Sequence, residues 1–469
     1  MNFAEIRFWG LLAAGLVVIV GVRFLLRPFL GNRGRQDLFD RAALMMLGMM
    51  LLSFVSWITV TIFLVVSVCS YLGLAWLLRH GRPWHRAFLC LLIPIQLLPL
   101  LYYKYANFAL NQVLGFQFDT LRHLMIPVGI SFYTFQMVAF VIDTLGYRHP
   151  LPRFLDFLNF AGFFPQIVAG PIERRGDLLP QMQQFRFRWS AEDIHAGLAW
   201  VVVGMFFKLC LADNVALQFH GRSSDNAYLI WIDNLLFGLR IYFDFAGYSL
   251  VAVGLGRCLG IRLTLNFRSP YCSTSIAEFW RRWHITLSQW FRDYVYVPLG
   301  GGRTQRWVLN IAVVFIVSGI WHGAGWNFIL WGALHGAFLV VNRWLGPRVP
   351  LPRVVAWALT VGAALFAWLC FYEVQTPVLW AKLGTLCTPS AYGPAAMKEA
   401  LALRSGSDLF TILCLLALCG VVWLAEWWSV RRLDDPYAWL RRPAVLAAMM
   451  VLTVFLAPGK NNAFIYFAF

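Results

Sequence analysis

Three apolar runs constrain this chain more than any other feature: LLAAGLVVIVGVRFLLRPFL (11–30), AALMMLGMMLLSFVSWITVTIFLVVSVCSYLGLAWLL (42–78) and VVAWALTVGAALFAWLCFY (354–372). Each is long enough to cross a hydrocarbon core of about 30 Å, and the second is long enough to cross it twice. Hydrocarbon offers backbone N–H and C=O groups no partner, so a span must satisfy them internally, as a helix does. Comparable runs bring the expected number to about eleven to thirteen, several of them interrupted by Pro or Gly and expected to re-enter. The sequence therefore predicts an all-α polytopic membrane protein, and a mean hydropathy of +0.65 agrees. The first run lacks a basic leading segment and a small-residue cleavage site, so no cleavable signal peptide is expected.

A balance of 39 Lys+Arg against 22 Asp+Glu could suggest nucleic acid, but the placement of the charges argues against it. Arg33, Arg35 and Arg41 follow the first span, Arg79, Arg82 and Arg86 the third, and Arg431, Arg432, Arg441 and Arg442 precede the last. By the positive-inside rule these short loops face the cytoplasm. The rule places the N-terminus outside and, after a further crossing, the tail NNAFIYFAF (461–469) outside as well. Attraction to anionic lipid is a secondary role for the same arginines. The nine cysteines, at positions 69, 90, 210, 258, 272, 370, 387, 414 and 419, are scattered without a C-x-x-C, so neither a metal site nor a disulfide framework is expected.

No linker or repeat divides the chain, which reads as a single membrane domain, 1–469. Spans at 1–104 precede a core at 120–345, and spans at 354–457 precede a tail at 458–469. A polar loop is expected at 374–406. Residues 125–336 hold most of the polar groups embedded in aromatic or Gly-rich surroundings, so function is expected there.

Within that block, SIAEFWRRWHITLSQWFRDYVYVPLGG (275–301) has helical spacing, with Phe279, Trp283, Trp290 and Tyr294 on one face and Arg281, Arg282, Gln289 and Arg292 interrupting the rest. Pro298 and Gly300–Gly302 end the pattern. Such a helix lies in the membrane interface or lines a cavity, which makes Trp280, Arg281 and Trp283 candidate substrate contacts. SGIWHGAGWNF (318–328) puts His322 and Asn327 inside a membrane helix pattern. Lipid satisfies neither ring nitrogen, so His322 must face protein or water, and Gly319, Gly323 and Gly325 permit a break there. An imidazole can take a proton from a hydroxyl attacking an acyl group and return it to the leaving group. It can equally bridge two helices. His284 is the second candidate. The chain has no G-x-S-x-G elbow and no H-E-x-x-H, and GLGRCLG (254–260) and GGGR (300–303) read as turns or helix packing rather than phosphate loops.

Six motifs occur in order: IPVGISFYTFQ (126–136), FFPQIVAGPIERR (163–175), YFDFAGYSLVAVG (242–254), EFWRRWHITLSQWFRDYVYVPLGG (278–301), SGIWHGAGWNFILWGALHG (318–336) and FIYFAF (464–469). Together they resemble the membrane-bound O-acyltransferase family, in particular its bacterial branch of alginate O-acetyltransferases and teichoic-acid D-alanyltransferases. The resemblance implies tilted and re-entrant helices around a tunnel that joins a cytoplasmic donor entrance to an outer acceptor entrance. The family's essential histidine corresponds to His322, and a second functional position to His284. VAGPIERRGDLLPQ, WRRWH and FKLCLADN (207–214) resemble the acetylating side. FDFAGYSL resembles the D-alanylating side, where acetylases usually carry Asp in place of Leu250.

In D-alanylation systems a small partner protein ends in an aromatic-Tyr-aromatic tail similar to FIYFAF. Because a phenol (pKa about 10) is a better leaving group than an aliphatic alcohol, Tyr466 is expected to carry an acyl group on to a sugar hydroxyl; an interfacial aromatic anchor is the simpler role. The resemblance thus implies an O-acyltransferase of the bacterial inner membrane with no bound cofactor or metal. Acetyl-CoA is the expected donor, an acyl carrier protein the alternative, and a periplasmic or extracellular acyltransferase or polysaccharide machinery the partner. D-alanyl transfer is the rival chemistry. A transporter or flippase is the rival class, with His322 and Asp244 as proton or substrate sites, although paired broken spans related by a repeat are lacking.

Overall fold

The computed structural model describes residues 3–80, 85–147, 149–219, 225–403, 406–459, 462, 464 and 465, with backbone alone for 85–90. All regular structure among them is helical. Among the described residues, seven helices are long and apolar enough to span a membrane: Ile6–Leu25, Trp57–His80, Ala191–Gln218, Ala227–Cys258, Trp326–Leu345, Arg353–Tyr372 and Gly406–Leu433. Three shorter apolar helices, Ile130–Gly146, Trp307–His322 and Pro443–Leu456, join them. The 42–78 run does form two helices, Arg33–Ser53 and Trp57–His80.

Two compact units result, Met1–Val201 with Tyr248–Thr264, and Val202–Gly247 with Leu265–Phe469. In the first, Arg41 departs from its expected role as a loop charge. It lies inside the Arg33–Ser53 helix, buried, and donates to Asp156 Oδ1 at 2.8 Å. Its carbonyl accepts from Asn159 Nδ2 at 2.9 Å. A guanidinium out of water needs such a partner, so this arginine is part of the packing rather than a topology signal. GLGRCLG does serve helix packing: a Cβ on Gly254 would sit 2.6 Å from the Gly197 carbonyl oxygen, and Gly260 turns the chain at φ +76.

The second unit contains the closest helix contact that bears on the site. A Cβ on Gly319 or Gly332 would approach the carbonyl oxygen of Phe328 or Phe315 to 2.2 Å. The Trp307–His322 and Trp326–Leu345 helices therefore meet backbone to backbone, the use of small residues typical of helix association in lipid. GGGR is a turn, with Gly300 and Gly301 at positive φ, and Asn310 Nδ2 donates to the Gly301 carbonyl at 2.9 Å. The polar loop expected at 374–406 instead contains the helices Thr376–Cys387 and Pro394–Ala402, each opened by a proline in its first turn, where the missing N–H costs nothing.

Candidate functional site

The continuous helix expected over 275–301 is two short helices, Ile276–Arg282 and Ile285–Phe291, followed by a π-type turn at Arg292–Tyr296. The first begins with a capping arrangement in which Ser275 Oγ accepts from Glu278 N at 3.1 Å and Glu278 Oε2 accepts from Thr274 N at 2.8 Å. Burial pushes the Glu278 carboxyl up, but these bonds and the Arg282 guanidinium hold it below its ordinary range. The break falls on His284, whose backbone is left-handed at φ 41, ψ 57. A non-glycine residue there costs on the order of 1–2 kcal/mol and persists only where surrounding contacts fix it.

Asn266 supplies those contacts. Its carbonyl accepts from Ile285 N at 2.9 Å, and its Oδ1 accepts from Thr286 N at 3.2 Å and from Thr286 Oγ1 at 2.9 Å. The backbone N–H of Thr286 identifies the accepting atom as the amide oxygen, because the amide NH2 could not accept it. The third group at that oxygen, His284 Nδ1 at 3.1 Å, must therefore be the N–H donor. Its proton sits on Nδ1 and the basic lone pair on Nε2. Replacing Asn266 by alanine is expected to destabilise the protein by about 2 kcal/mol, since buried donors lose their acceptor. Asn266→Asp, which keeps an acceptor oxygen, should recover part of it; thermal unfolding in detergent compares the two.

His322 ends its helix, and Gly323 is extended at φ −163. A Cβ on Gly323 would lie 2.0 Å from the Phe328 ring, so this break needs glycine for space rather than for φ. The His322 ring packs against Trp321 and Trp331, both with centroids at 4.9 Å, and Phe371 at 5.3 Å. Trp321 also faces His284 at 6.0 Å, so one indole joins the two predicted histidines. Both are buried, His284 at 0% and His322 at 2% exposure.

The other predicted residues divide. Trp280 and Arg281 line a cavity of about 830 Å³ with Ser288, Arg292, Phe315, Ser318 and Arg343. Ser318 stands one helical turn before His322, on the same face. Trp283 is not an interface residue: it is 1% exposed, packed on Phe279, Phe267 and Trp368. Asn327 is buried and donates to the Cys370 carbonyl at 3.0 Å. Asp244 belongs to a different cluster, pairing with Lys208 at 3.0 Å and accepting from Ile465 N at 2.7 Å. Tyr466 lies outside the described residues. Phe464 and Ile465, just before it, are buried in protein rather than displayed at a boundary.

Two residues were missed. His335 is fully buried between Trp331 (4.8 Å) and Trp280 (5.0 Å), and it thereby connects the cavity wall to the packing around His322. Lys208 sits in FFKLCLA, and a lysine in an apolar run is a flag on its own. No group of three metal-ligating side chains occurs among the described residues.

Residues 130–375 match the profile described as MBOAT, membrane-bound O-acyltransferase family. The chain is 39% identical to a Pseudomonas aeruginosa protein named "Probable alginate O-acetylase", over 64% of this chain and 60% of that one. It is 35% identical to the peptidoglycan O-acetyltransferase of Helicobacter pylori, over 58% and 59%. It is also 30% identical to the teichoic acid D-alanyltransferase of Bacillus subtilis, over 46% and 59%. The chain spans about 60% of the length of these relatives.

Proposed function

The chain belongs to the membrane-bound O-acyltransferase family, and from that premise we propose that it takes an acetyl group from a cytoplasmic thioester and passes it across the bacterial inner membrane for O-acylation of an extracytoplasmic polysaccharide. The observation that carries this reading is the pairing, in one unit, of two buried histidines with a cavity bearing Arg281, Arg292 and Arg343. Guanidinium groups suit the phosphates of acetyl-CoA, and the apolar wall of Ile311, Val314 and Phe315 suits its pantetheine arm.

In the proposed reaction His322 accepts the proton of a hydroxyl as its oxygen attacks the thioester carbonyl. The new C–O bond forms, the C–S bond breaks, and the proton passes to the departing thiolate, leaving free thiol. A thiol (pKa about 8.5) departs more readily than an alcohol, which drives loading of the ester. The hydroxyl is the phenol of Tyr466, and His284, whose Nδ1–H is committed to Asn266 Oδ1, is an orienting residue of the site. A sugar hydroxyl then attacks the tyrosyl ester carbonyl, the sugar C–O bond forming as the bond to the phenol oxygen breaks and the hydroxyl proton passing to the departing phenolate, with a periplasmic acyltransferase or the polysaccharide machinery completing delivery.

FDFAGYSL and the D-alanylating relative favour D-alanyl transfer from a phosphopantetheinyl carrier protein as the second reading. Incubation of the detergent-purified protein with radiolabelled acetyl-CoA tests both. Label should appear on the wild-type chain and fall at least about tenfold in Tyr466→Phe, whose ring lacks the nucleophilic oxygen. Label retained by Tyr466→Phe would end the relay while leaving acyl transfer standing. Absence of both label and thioester cleavage in the wild type would remove acetyl-CoA as donor.

A further inference from the structure

Lys208, Asp213 and Asp244 form a buried ionic cluster that no step above employs as a group. A crossing of small residues creates it: a Cβ on Gly247 would lie 2.8 Å from the Gly204 carbonyl oxygen and 3.0 Å from Lys208 N. At that closeness Asp244, three residues before Gly247, meets Lys208, four residues after Gly204. The ammonium donates to Asp213 Oδ1 at 2.8 Å and to the main-chain carbonyl of Asn462 at 3.0 Å, and it forms an ion pair with Asp244 Oδ1 at 3.0 Å. The other oxygen of Asp244 accepts the main-chain N–H of Ile465 at 2.7 Å. Between these anchors Phe464 is buried against Phe245 at 5.8 Å, and Phe245 stands edge-on to His284 at 4.7 Å.

We propose that Lys208 and Asp244, with Asp213 holding the lysine, are a docking clamp for the tail segment of this chain, gripping its main chain at Asn462 and Ile465 and so setting its register against the Phe245–His284 wall. A lysine on a carbonyl and a carboxylate on an N–H, three residues apart, read peptide backbone rather than side chain. The ligand class is therefore a peptide segment. The pocket for Phe464 lends the specificity that backbone contacts lack. The three are positioning residues, and their use in transfer rests on the acceptor role proposed for Tyr466; the clamp itself is testable without acyl chemistry.

The test is hydrogen exchange of the Ile465 amide, read by mass spectrometry with residue-level fragmentation on the full-length protein in detergent, without donor. In the wild type this amide should exchange slowly. Asp244→Ala removes the acceptor and should raise its exchange at least tenfold, while Lys208 keeps Asp213 as partner and the fold is spared. Asp244→Asn keeps an acceptor oxygen and should restore most of the protection, which a purely ionic structural role would not allow. Equal exchange in wild type and Asp244→Ala, or Asn behaving as Ala, would overturn the clamp. Neither result depends on whether acetyl-CoA is the donor.

Discussion

Acyl transfer should fall about 10³-fold in His322→Ala, the middle of the range for losing a positioned general base. His322 lines no part of the arginine-bearing cavity, so donor binding should survive and the loss should appear in kcat, with KM for the thioester little changed. His322→Gln refines the test, because it fills much of the space between Trp321, Trp331 and Phe371 and retains a polar group but cannot take a proton. If Gln restored activity to within tenfold of wild type, His322 would be a packing or orienting residue. Steady-state thioester consumption by purified protein reads both variants.

The second large effect is on stability. Lys208→Met should destabilise the protein by about 3 kcal/mol, because it leaves two buried carboxylates without the ammonium between them. Asp213 and Asp244 are each 1% exposed, so neither can recover its hydration without local opening. The charge of Arg240 also acts on both carboxylates and keeps the expected loss at the lower end of that range. Combining Lys208→Met with Asp213→Asn and Asp244→Asn should recover much of the loss, since neutral amides need no counter-ion. Thermal unfolding in detergent compares the variants; a single Lys208→Met change that left the transition in place would mean that the cluster is hydrated or otherwise compensated.

Periodicity and local chemistry made much of this legible. Apolar run length located the spans, including the division of 42–78, and a lone histidine among glycines located the break at His322. Where contacts are non-local, the reading ran out. The 275–301 pattern is helical on both sides of His284, and what interrupts it is Asn266, 18 residues away in sequence. Trp283 and Asn327 have the polarity of binding residues, but packing on Trp368 and a bond to the Cys370 carbonyl decide their environment. Arg41 resembled a topology charge because Asp156, its partner, is 115 positions distant. The aromatic tail was composed like a boundary anchor; Phe464 and Ile465 are buried, and the carbonyl of nearby Asn462 accepts from Lys208, 254 residues earlier, which local patterning had no means to connect.

The backbone contact at Gly319 and Gly332 has a mechanical corollary. At these glycines the two helices touch backbone to backbone and leave no room for a side chain, so any larger residue at either position would force them apart. Together they contribute one wall of the cavity, from Ile311, Phe315 and Ser318 on one helix to Leu339, Asn342 and Arg343 on the other. Ala277, Trp280, Arg281, Ile285, Leu287 and Ser288, from the short helices Ile276–Arg282 and Ile285–Phe291, line it as well, and the junction of those helices, His284, is itself held by Asn266.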